Sequence, residues 1–340
     1  MNKLFTTIFP EFNKTTPGCA VQVVQNGKTI FQKCMGLANV EQQIPIISQT
    51  AFRLASLSKP FTAMAAMLLK QEGMLSFDQK LSEFFPDFPE YGRNITIRQL
   101  LTHTSGIPDH EQPLYKQIKP GEEPTISDAL VVLKKQEQAL FPPGSRYEYS
   151  DAGFVVLALI VEYVSKLKYG TFLRKNIFDP LKLKNTVVFD ETKPKIKNRA
   201  LGYQKSKNSF ELFDYDPLNY IIGDEGIYST TEDLAKWWTA WQSNILVSSE
   251  ILREALTPMT IRRGIKRSCA FSWFIENSPK GKIIFHDGFW VGFNNIMLVD
   301  VKTNTSVIVL SNAANTAIFS KPDKRFQVAR KILDEVVKKS

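Results

Sequence analysis

The chain has 340 residues and a net charge of +9, and 43% of its residues are hydrophobic and 23% charged. These proportions are typical of globular proteins and exclude a disordered, collagen-like or low-complexity chain. The longest apolar run, residues 154–161, is far shorter than the roughly 20 residues that a membrane-spanning helix needs. The first ten residues lack the apolar stretch of a signal peptide, so the sequence as written predicts a cytoplasmic protein. A different true start would instead allow a periplasmic or exported one.

The positive charge is concentrated in one segment. Residues 166–207 contain twelve basic and three acidic residues, and the remainder of the chain is neutral. A solvated lysine-rich face is the favoured interpretation, and a patch that attracts anionic substrates, membranes or nucleic acid is the alternative. Neither aromatic-basic repeats nor zinc-finger spacing accompanies the segment, so no nucleic-acid partner is predicted.

The first predicted element is a β-hairpin with an Asn-Gly turn at 26–27 and strands at 18–25 and 28–35. Counting back from a two-residue turn places Cys19 opposite Cys34. We expect these thiols to be reduced in a reducing cytosol, with a disulfide as the lesser alternative. With three cysteines, three histidines and no C-x-x-C pair, the chain is not expected to hold a structural metal.

Helical patterns follow the hairpin, and strand patterns return near the end of the chain. The first long helix is predicted over 59–72, with a proline in its first turn and Gly73 at the C-cap position. The further predicted helices are 126–138, 152–167 and an amphipathic helix over 323–338. The late predicted strands are 269–275, 282–285, 295–301 and 305–310.

Strands at both ends with helices between them predict an α/β (α+β) protein. Its antiparallel sheet would be built from both chain termini and flanked by helices. Residues 1–75 together with 225–340 are predicted to form a mixed α/β domain, and 76–224 an inserted, mostly helical domain. We also expect the terminal helix to pack on the same sheet as the hairpin, with Phe326 and Leu333 buried.

Ser56 and Lys59 stand three residues apart at the start of the first long helix, where this spacing puts them on one face. A helix N-terminus offers free N–H groups and a positive field. A serine there gains an oxyanion site from its own backbone N–H, and the lysine can lower the proton affinity of the hydroxyl. By itself an S-x-x-K pattern arises easily by chance, and an ordinary polar first turn is the alternative.

Four further segments give the S-x-x-K pattern a context. The five segments are 52–63 (FRLASLSKPFTA), 100–106 (LLTHTSG), 141–151 (FPPGSRYEYSD), 226–234 (GIYSTTEDL) and 286–288 (HDG). In this order and spacing the chain resembles the serine β-lactamase and penicillin-binding protein superfamily. It is most similar to the branch of class C β-lactamases, D-alanyl-D-alanine carboxypeptidases and esterases. The resemblance covers roughly residues 18–315 and implies a β-lactamase/transpeptidase-like fold.

The resemblance implies a catalytic role for three side chains. Ser56 would be the acylated nucleophile, and Lys59 would activate it and share its proton. Tyr149 would act as general base and then donate to the leaving group, which requires a lowered pKa beside Lys59. The backbone N–H groups of Ser56 and Phe289 would form the oxyanion hole, worth about 3 kcal/mol per donor in other hydrolases. No metal or cofactor is implied.

Asp151, His286, Asp287 and Gly288 are the predicted substrate-binding residues, and three of them depart from the family pattern. Asp151 replaces an asparagine; an ionised aspartate only accepts hydrogen bonds, and it could pair with Lys59 and keep it protonated. His286 and Asp287 replace Lys-Thr. A histidine of ordinary pKa, about 6.5, is mostly neutral at pH 7. Asp287 would repel a substrate carboxylate if it faces the cleft; alternatively it points away and pairs with His286.

Two other histidines receive less weight. His103 is expected to be a structural hydrogen-bonding residue rather than a catalytic base. His110, which is flanked by Asp109 and Glu111, is expected to be exposed to solvent.

These residues predict a serine hydrolase that forms an acyl-enzyme on a small ester, a D-amino-acid amide or peptide, or a β-lactam. The first two substrate classes rank ahead of β-lactams because of Asp151 and Asp287. A catalytically silent binding protein on the same fold is the alternative. An α/β-hydrolase is excluded because the chain has no G-x-S-x-G elbow. The oligomeric state is left open.

Overall fold

The computed structural model describes residues 2–259, 268–278, 281–319 and 322–337. The strands are, in chain order, β1 (Cys19–Gln25), β2 (Lys28–Met35), β3 (Leu37–Asn39), β4 (Ile44–Pro45), β5 (Phe52–Arg53), β6 (Val187–Val188), β7 (Tyr203–Ser206), β8 (Ser209–Leu212), β9 (Ile227–Ser229), β10 (Phe274–Ser278), β11 (Gly281–Trp290), β12 (Phe293–Asp300), β13 (Thr305–Ser311) and β14 (Ala313–Ala314).

The helices are α1 (Asn2–Ile8), α2 (Lys59–Gln71), α3 (Leu81–Phe84), α4 (Ile97–Leu101), α5 (Glu111–Tyr115), α6 (Ile126–Lys134), α7 (Asp151–Ser165), α8 (Tyr169–Leu173), α9 (Thr231–Gln242), α10 (Ser249–Ala255) and α11 (Pro322–Val337). Short 3-10 turns lie at Ala55–Ser58, Glu90–Gly92 and Pro217–Tyr220, and a π turn at Arg174–Phe178. None of the helices in the described ranges is both long and apolar enough to cross a membrane.

A six-stranded antiparallel sheet, with the strand order β10-β11-β12-β13-β1-β2, joins the two ends of the chain. The N-terminal strand β1 pairs with the C-terminal strand β13, so that Val21 lies opposite Val309. Three smaller sheets, β3-β4, β5-β9-β6 and β14-β7-β8, surround it. The sheet built from both termini and flanked by helices confirms the predicted fold class.

The two faces of this sheet belong to different layers of the core, because successive side chains of a strand point to opposite sides. Val21 and Val309 pack in a cluster with side chains of α1 and α11. Their neighbours Ala20 and Leu310 belong to a larger core that includes α2 and α7. The sheet is therefore covered by the two terminal helices on one face and by the helical region on the other.

Helix α2 is buried along almost its whole length and packs against α7. Residues 59–67 of α2 and 152–158 of α7 are buried without interruption, as expected for helices that are apolar all round. The charged Lys59 therefore begins a helix that lies inside the core. Helices α3 to α8 fall within the predicted inserted region, but the larger core contains residues from both sides of the proposed boundaries. The division into two domains stays a prediction.

One predicted strand is misplaced and another is longer than expected. The strand expected at 269–275 is found at Phe274–Ser278, because Cys269 forms only an isolated bridge and Ser272 adopts a φ of +61° that turns the chain. The strand expected at 282–285 extends over Gly281–Trp290. This extension carries the segment 286–288 into the central sheet.

The hairpin has the predicted turn but a different register. Gln25 pairs with Lys28, as expected, but a β-bulge then shifts the pairing by one residue. Cys19 lies opposite Met35 rather than opposite Cys34, so the predicted cysteine pairing is wrong. The two thiols face different layers of the core, and Cys19, Cys34 and Cys269 are all free.

The terminal helix α11 packs on the same sheet as the hairpin, as expected. Leu333 is buried in the cluster beneath α11. Phe326 is only partly buried, so the expectation of full burial was wrong for this residue. Its ring packs at the margin of the cluster, with its centroid 4.7 Å from that of Phe285.

Replacing Leu333 by alanine should lower the free energy of unfolding by about 2–5 kcal/mol, because the change leaves a cavity between α11 and the sheet. Lys331→Ala, on the exposed face of the same helix, is the matched control. Urea denaturation of the two variants measures the difference. Equal unfolding midpoints would show that α11 is not part of the core.

Candidate active site

Ser56 lies in the 3-10 turn that directly precedes α2, one turn before the helical position expected from the sequence. Ala55 has a φ of +53°, a conformation that a non-glycine residue keeps only where its surroundings hold it. Asn295 on β12 supplies such a restraint, since its Nδ2 donates to the carbonyl oxygens of Arg53 at 2.8 Å and Leu54 at 3.2 Å. The central sheet thereby positions the turn that carries Ser56.

The Lys59 ammonium group joins three elements of the site. Its Nζ donates to Ser56 Oγ at 3.0 Å, to Asp151 Oδ1 at 2.5 Å and to the Asp224 carbonyl oxygen at 3.2 Å. The Lys59 side chain is fully buried. Three donors thus meet three acceptors, which is the full hydrogen-bonding capacity of an ammonium group.

Lys59 and Asp151 are present as an ion pair. Burial acts to lower the pKa of Lys59, but the negative charge of Asp151, with smaller contributions from its neighbours, outweighs burial and raises this pKa well above its ordinary value. Burial acts to raise the pKa of Asp151, and the Lys59 charge and hydrogen bond reverse the effect and lower it. The pairing considered from the sequence is therefore observed, and it keeps Lys59 protonated.

The start of α7 places Tyr149 and Asp151 on either side of the N-cap residue Ser150. The Ser150 hydroxyl accepts from the Gly153 N–H at 3.1 Å and so caps the helix. His103 Nδ1 accepts from the Ser150 N–H at 3.0 Å, and the His103 ring stacks on Tyr149 with centroids 4.5 Å apart. His103 is buried and has the structural hydrogen-bonding role expected for it.

Lys59 Nζ, which contacts Ser56 Oγ, lies 5.0 Å from the centroid of the Tyr149 ring, so the three side chains share one site. Burial raises the pKa of the Tyr149 hydroxyl, and the opposing effect of the Lys59 charge is smaller. The side chain is 36% exposed, so water moderates the rise. The lowered pKa expected for Tyr149 is wrong in direction, and the phenol keeps its proton in the free protein.

Strand β11 passes directly against the serine turn. A Cβ atom at Gly288 would lie 2.1 Å from the Leu54 carbonyl oxygen, so only glycine fits this crossing. The backbone of β11 at Gly288 therefore contacts the turn that carries Ser56. The role of the Phe289 N–H in an oxyanion hole stays a prediction. Strand β10 pairs with only the first half of β11, which leaves residues 286–290 without a strand partner on that side among the described residues.

His286 and Asp287 point to opposite faces of β11. The His286 ring is buried with its centroid 5.3 Å from Phe274 and 6.5 Å from Tyr149, and burial lowers its pKa to about 4. Asp287 Oδ2 instead accepts from Arg325 Nε on α11 at 2.6 Å. The interpretation in which Asp287 binds substrate is therefore wrong. His286 is on the Tyr149 side and is uncharged at neutral pH.

A second polar group, unforeseen as a site, lies beside the Lys59 ion pair. One ligand atom each from His110, Glu111 and Asp224 lies within 4.8 Å of the others. His110 is 1% exposed, so the expectation that it faces solvent was wrong. The exposed position at the start of α5 is taken by Asp109, whose carboxylate accepts from the N–H groups of Glu111 at 3.0 Å and Gln112 at 3.1 Å. His110 turns inward as a result.

The sequence does carry a signal for this group. Asp224 and Glu225 are consecutive acidic residues in an otherwise apolar stretch that includes the buried Ile221, Ile222 and Ile227. Buried carboxyl groups are uncommon unless they are paired or bind a ligand. Two of them in succession therefore indicate a site.

Comparison with known proteins agrees with this geometry. Residues 5–329 match the family model described as Beta-lactamase. A penicillin-binding protein of Bacillus subtilis (strain 168) is 30% identical over 315 residues, which are 89% of this chain and 68% of the relative. Protein flp of Staphylococcus aureus (strain MW2) is 30% identical over 87% of this chain and 59% of its own length. The chain thus spans about three fifths of the flp protein.

Solved structures show the same relationship. The penicillin-binding protein from Bacillus halodurans superposes with a TM-score of 0.82 and 26% identity, over 98% of both chains. The octameric penicillin-binding protein homologue from Pyrococcus abyssi gives 0.83 and 25% over 99% of this chain and 76% of its own. A D-amino acid amidase from Ochrobactrum anthropi SV3 shares the fold, with a TM-score of 0.79 and 21% identity over 99% of this chain and 98% of its own. The chain belongs to the beta-lactamase family, a superfamily of serine hydrolases that includes penicillin-binding proteins.

Proposed function

We propose that the protein is a serine hydrolase that forms an acyl-enzyme on Ser56. The observation that carries this proposal is the contact of the buried Lys59 Nζ with Ser56 Oγ at 3.0 Å, with the centroid of the Tyr149 ring 5.0 Å from the same Nζ. A neighbouring cation lowers the proton affinity of a hydroxyl and stabilises the alkoxide that attacks. Burial of an ammonium group is costly, and a protein that only binds ligands has no need of that arrangement beside a serine.

In the proposed reaction Ser56 Oγ bonds to the carbonyl carbon of the substrate, and the carbonyl oxygen takes up the electron pair. The backbone N–H groups of Ser56 and Phe289 stabilise this oxyanion. The Ser56 proton passes through the Tyr149 hydroxyl to the leaving group as the carbon–leaving-group bond breaks. Water then attacks the ester formed on Ser56, and the same groups return the proton to Oγ.

Small esters and D-amino-acid amides or peptides are the proposed substrates, ahead of β-lactams. The neutral His286 does not supply the cation that would hold the carboxylate of a β-lactam, and Asp151 accepts hydrogen bonds where an asparagine would also donate. Asp287 no longer contributes to this ranking, because it faces Arg325. Relatives named as penicillin-binding proteins and a D-amino acid amidase support amide or peptide chemistry.

Ser56→Ala should abolish labelling by a fluorescent phosphonate and lower kcat/KM for p-nitrophenyl acetate by at least about a thousandfold, because the nucleophile is lost. Ser209→Ala, on the exposed strand β8, is the matched control and should label like wild type. Intact-mass spectrometry locates the adduct. A wild-type protein that takes up no phosphonate would favour the silent binding protein instead.

Asp151→Asn should shift the pH dependence of kcat/KM for p-nitrophenyl acetate to lower pH. The charge of Asp151 raises the pKa of both Lys59 and Tyr149, so its removal lowers both, whichever of the two groups takes the proton. In wild type the basic form of either group is scarce at neutral pH, and the rate should rise as the pH increases. A rate profile with the same midpoint in both proteins would exclude this pair from proton transfer.

A further inference from the structure

A small polar recess opens beside the Lys59 ion pair. Its volume is about 10 Å³, roughly enough for one group the size of a water molecule. Two of its polar atoms, His110 Nδ1 and Asp224 Oδ1, are buried and have no hydrogen-bond partner among the described residues. The recess is lined by His110, Glu111, Leu218, Ile221, Asp224, Glu225 and Trp290.

Carboxyl groups predominate around the recess. Burial raises the pKa of Glu111 to about 8 and also raises the pKa of Asp224 and of Glu225, and repulsion between the carboxyl groups adds to the effect. A bound cation would stabilise the ionised forms of these carboxyl groups and offset their mutual repulsion. The charged or titratable groups that interact across this region are the carboxyls Glu111, Asp151, Asp224 and Glu225 and the cations Lys59 and Arg53, together with Asp109 and His110 near its rim.

The spacing of the acceptors fits an ammonium group. The ligand atoms of His110, Glu111 and Asp224 lie within 4.8 Å of one another. Charge-assisted N–H···O bonds are about 2.7–2.9 Å long, so three acceptors spread over such separations can surround one nitrogen. An ammonium group also has three donors for the three acceptors.

The recess is close to the proposed reacting atoms. The Asp224 carbonyl oxygen and Ser56 Oγ both accept hydrogen bonds from Lys59 Nζ. The backbone of Asp224, whose side chain lines the recess, is therefore linked to the nucleophile by two hydrogen bonds through Lys59. In an amino-acid derivative the amine is carried on the carbon next to the carbonyl. With a carbonyl held at Ser56, we expect this amine to point toward the recess.

We propose that His110, Glu111 and Asp224 form a subsite for the α-ammonium group of the substrate, so that the enzyme prefers amino-acid amides or peptides with a free amine. This inference rests on the proposed hydrolase function. Glu111, which is partly exposed, forms the entrance of the subsite, and the buried His110 and Asp224 form its inner wall. The neutral amine-blocked derivative leaves the acceptors unpaired and is a poor substrate.

The test compares D-alanine p-nitroanilide with N-acetyl-D-alanine p-nitroanilide at neutral pH. Wild type should favour the free amine by about a hundredfold or more in kcat/KM, because a site built to pair with a donor rejects the analogue that lacks it. Glu111→Gln should reduce this ratio by about tenfold or more, since it removes a charge-assisted hydrogen bond but keeps the shape. Asp224→Asn is the second variant. Glu90→Gln, at a carboxylate with 88% of its side chain exposed, should keep the wild-type ratio.

Three results would overturn the subsite. The ratio could stay at the wild-type value in folded Glu111→Gln and Asp224→Asn proteins, or neither anilide could be cleaved by an enzyme that cleaves p-nitrophenyl acetate. Calorimetry with MnCl₂ or ZnCl₂ could also show tight binding that is lost in Glu111→Gln, which would assign the cluster to a metal ion. A wild-type protein that cleaves neither the anilides nor the acetate, and is not labelled at Ser56, instead contradicts the proposed hydrolase function itself.

Discussion

A single buried ammonium group holds the centre of this protein together. Lys59 begins a helix that lies inside the core, and a charge in such a position must be paired. Its partners come from three parts of the chain: the serine turn, the start of α7 and the loop that contains Asp224. Removing Asp151 would leave an uncompensated buried charge, at a cost of about 3–5 kcal/mol. The packing of α2 against α7 and the shape of the site therefore depend on one another.

The same interaction determines the protonation state of the site. Because Asp151 holds the proton on Lys59, and burial holds the proton on Tyr149, the resting protein presents a cation and a neutral phenol to Ser56. An asparagine at position 151 has no charge and would not hold the proton on Lys59. On the opposite side of the cleft His286 is neutral. In the described site the Lys59 cation is bonded to Ser56, and carboxyl groups are in excess around the recess. This arrangement suits the recognition of amines rather than of carboxylates.

Much of the fold could be predicted because its signals are local. The Asn-Gly turn, the first long helix and the five ordered segments each depend on neighbouring residues, and all appear at or near their predicted positions. The errors come from features that depend on distant parts of the chain. The bulge that separates Cys19 from Cys34 has no local signal. Asp287 was misjudged because its direction depends on the register of β11 and on Arg325, 38 residues away in sequence.

The site shows the same contrast. The S-x-x-K spacing is sufficient to bring Lys59 to Ser56, because both lie on one short segment. The direction in which the pKa of Tyr149 shifts could not be predicted. Burial of its hydroxyl, which the sequence does not reveal, outweighs the effect of the nearby Lys59 charge. The inward position of His110 depends on Asp109 taking the exposed cap. Only the consecutive acids Asp224 and Glu225 could have indicated the recess beforehand.

The protonation state of Lys59 tests the account most directly. The protein would be labelled with lysine carrying ¹³C at Cε, and the Lys59 resonance would be assigned by its absence from Lys59→Arg. Its chemical shift would then be followed as the pH is raised. We expect Lys59 to stay protonated beyond about pH 10, the range in which ordinary lysines titrate. A titration midpoint near neutral pH would show that Asp151 does not hold the proton on Lys59 and would contradict the central claim.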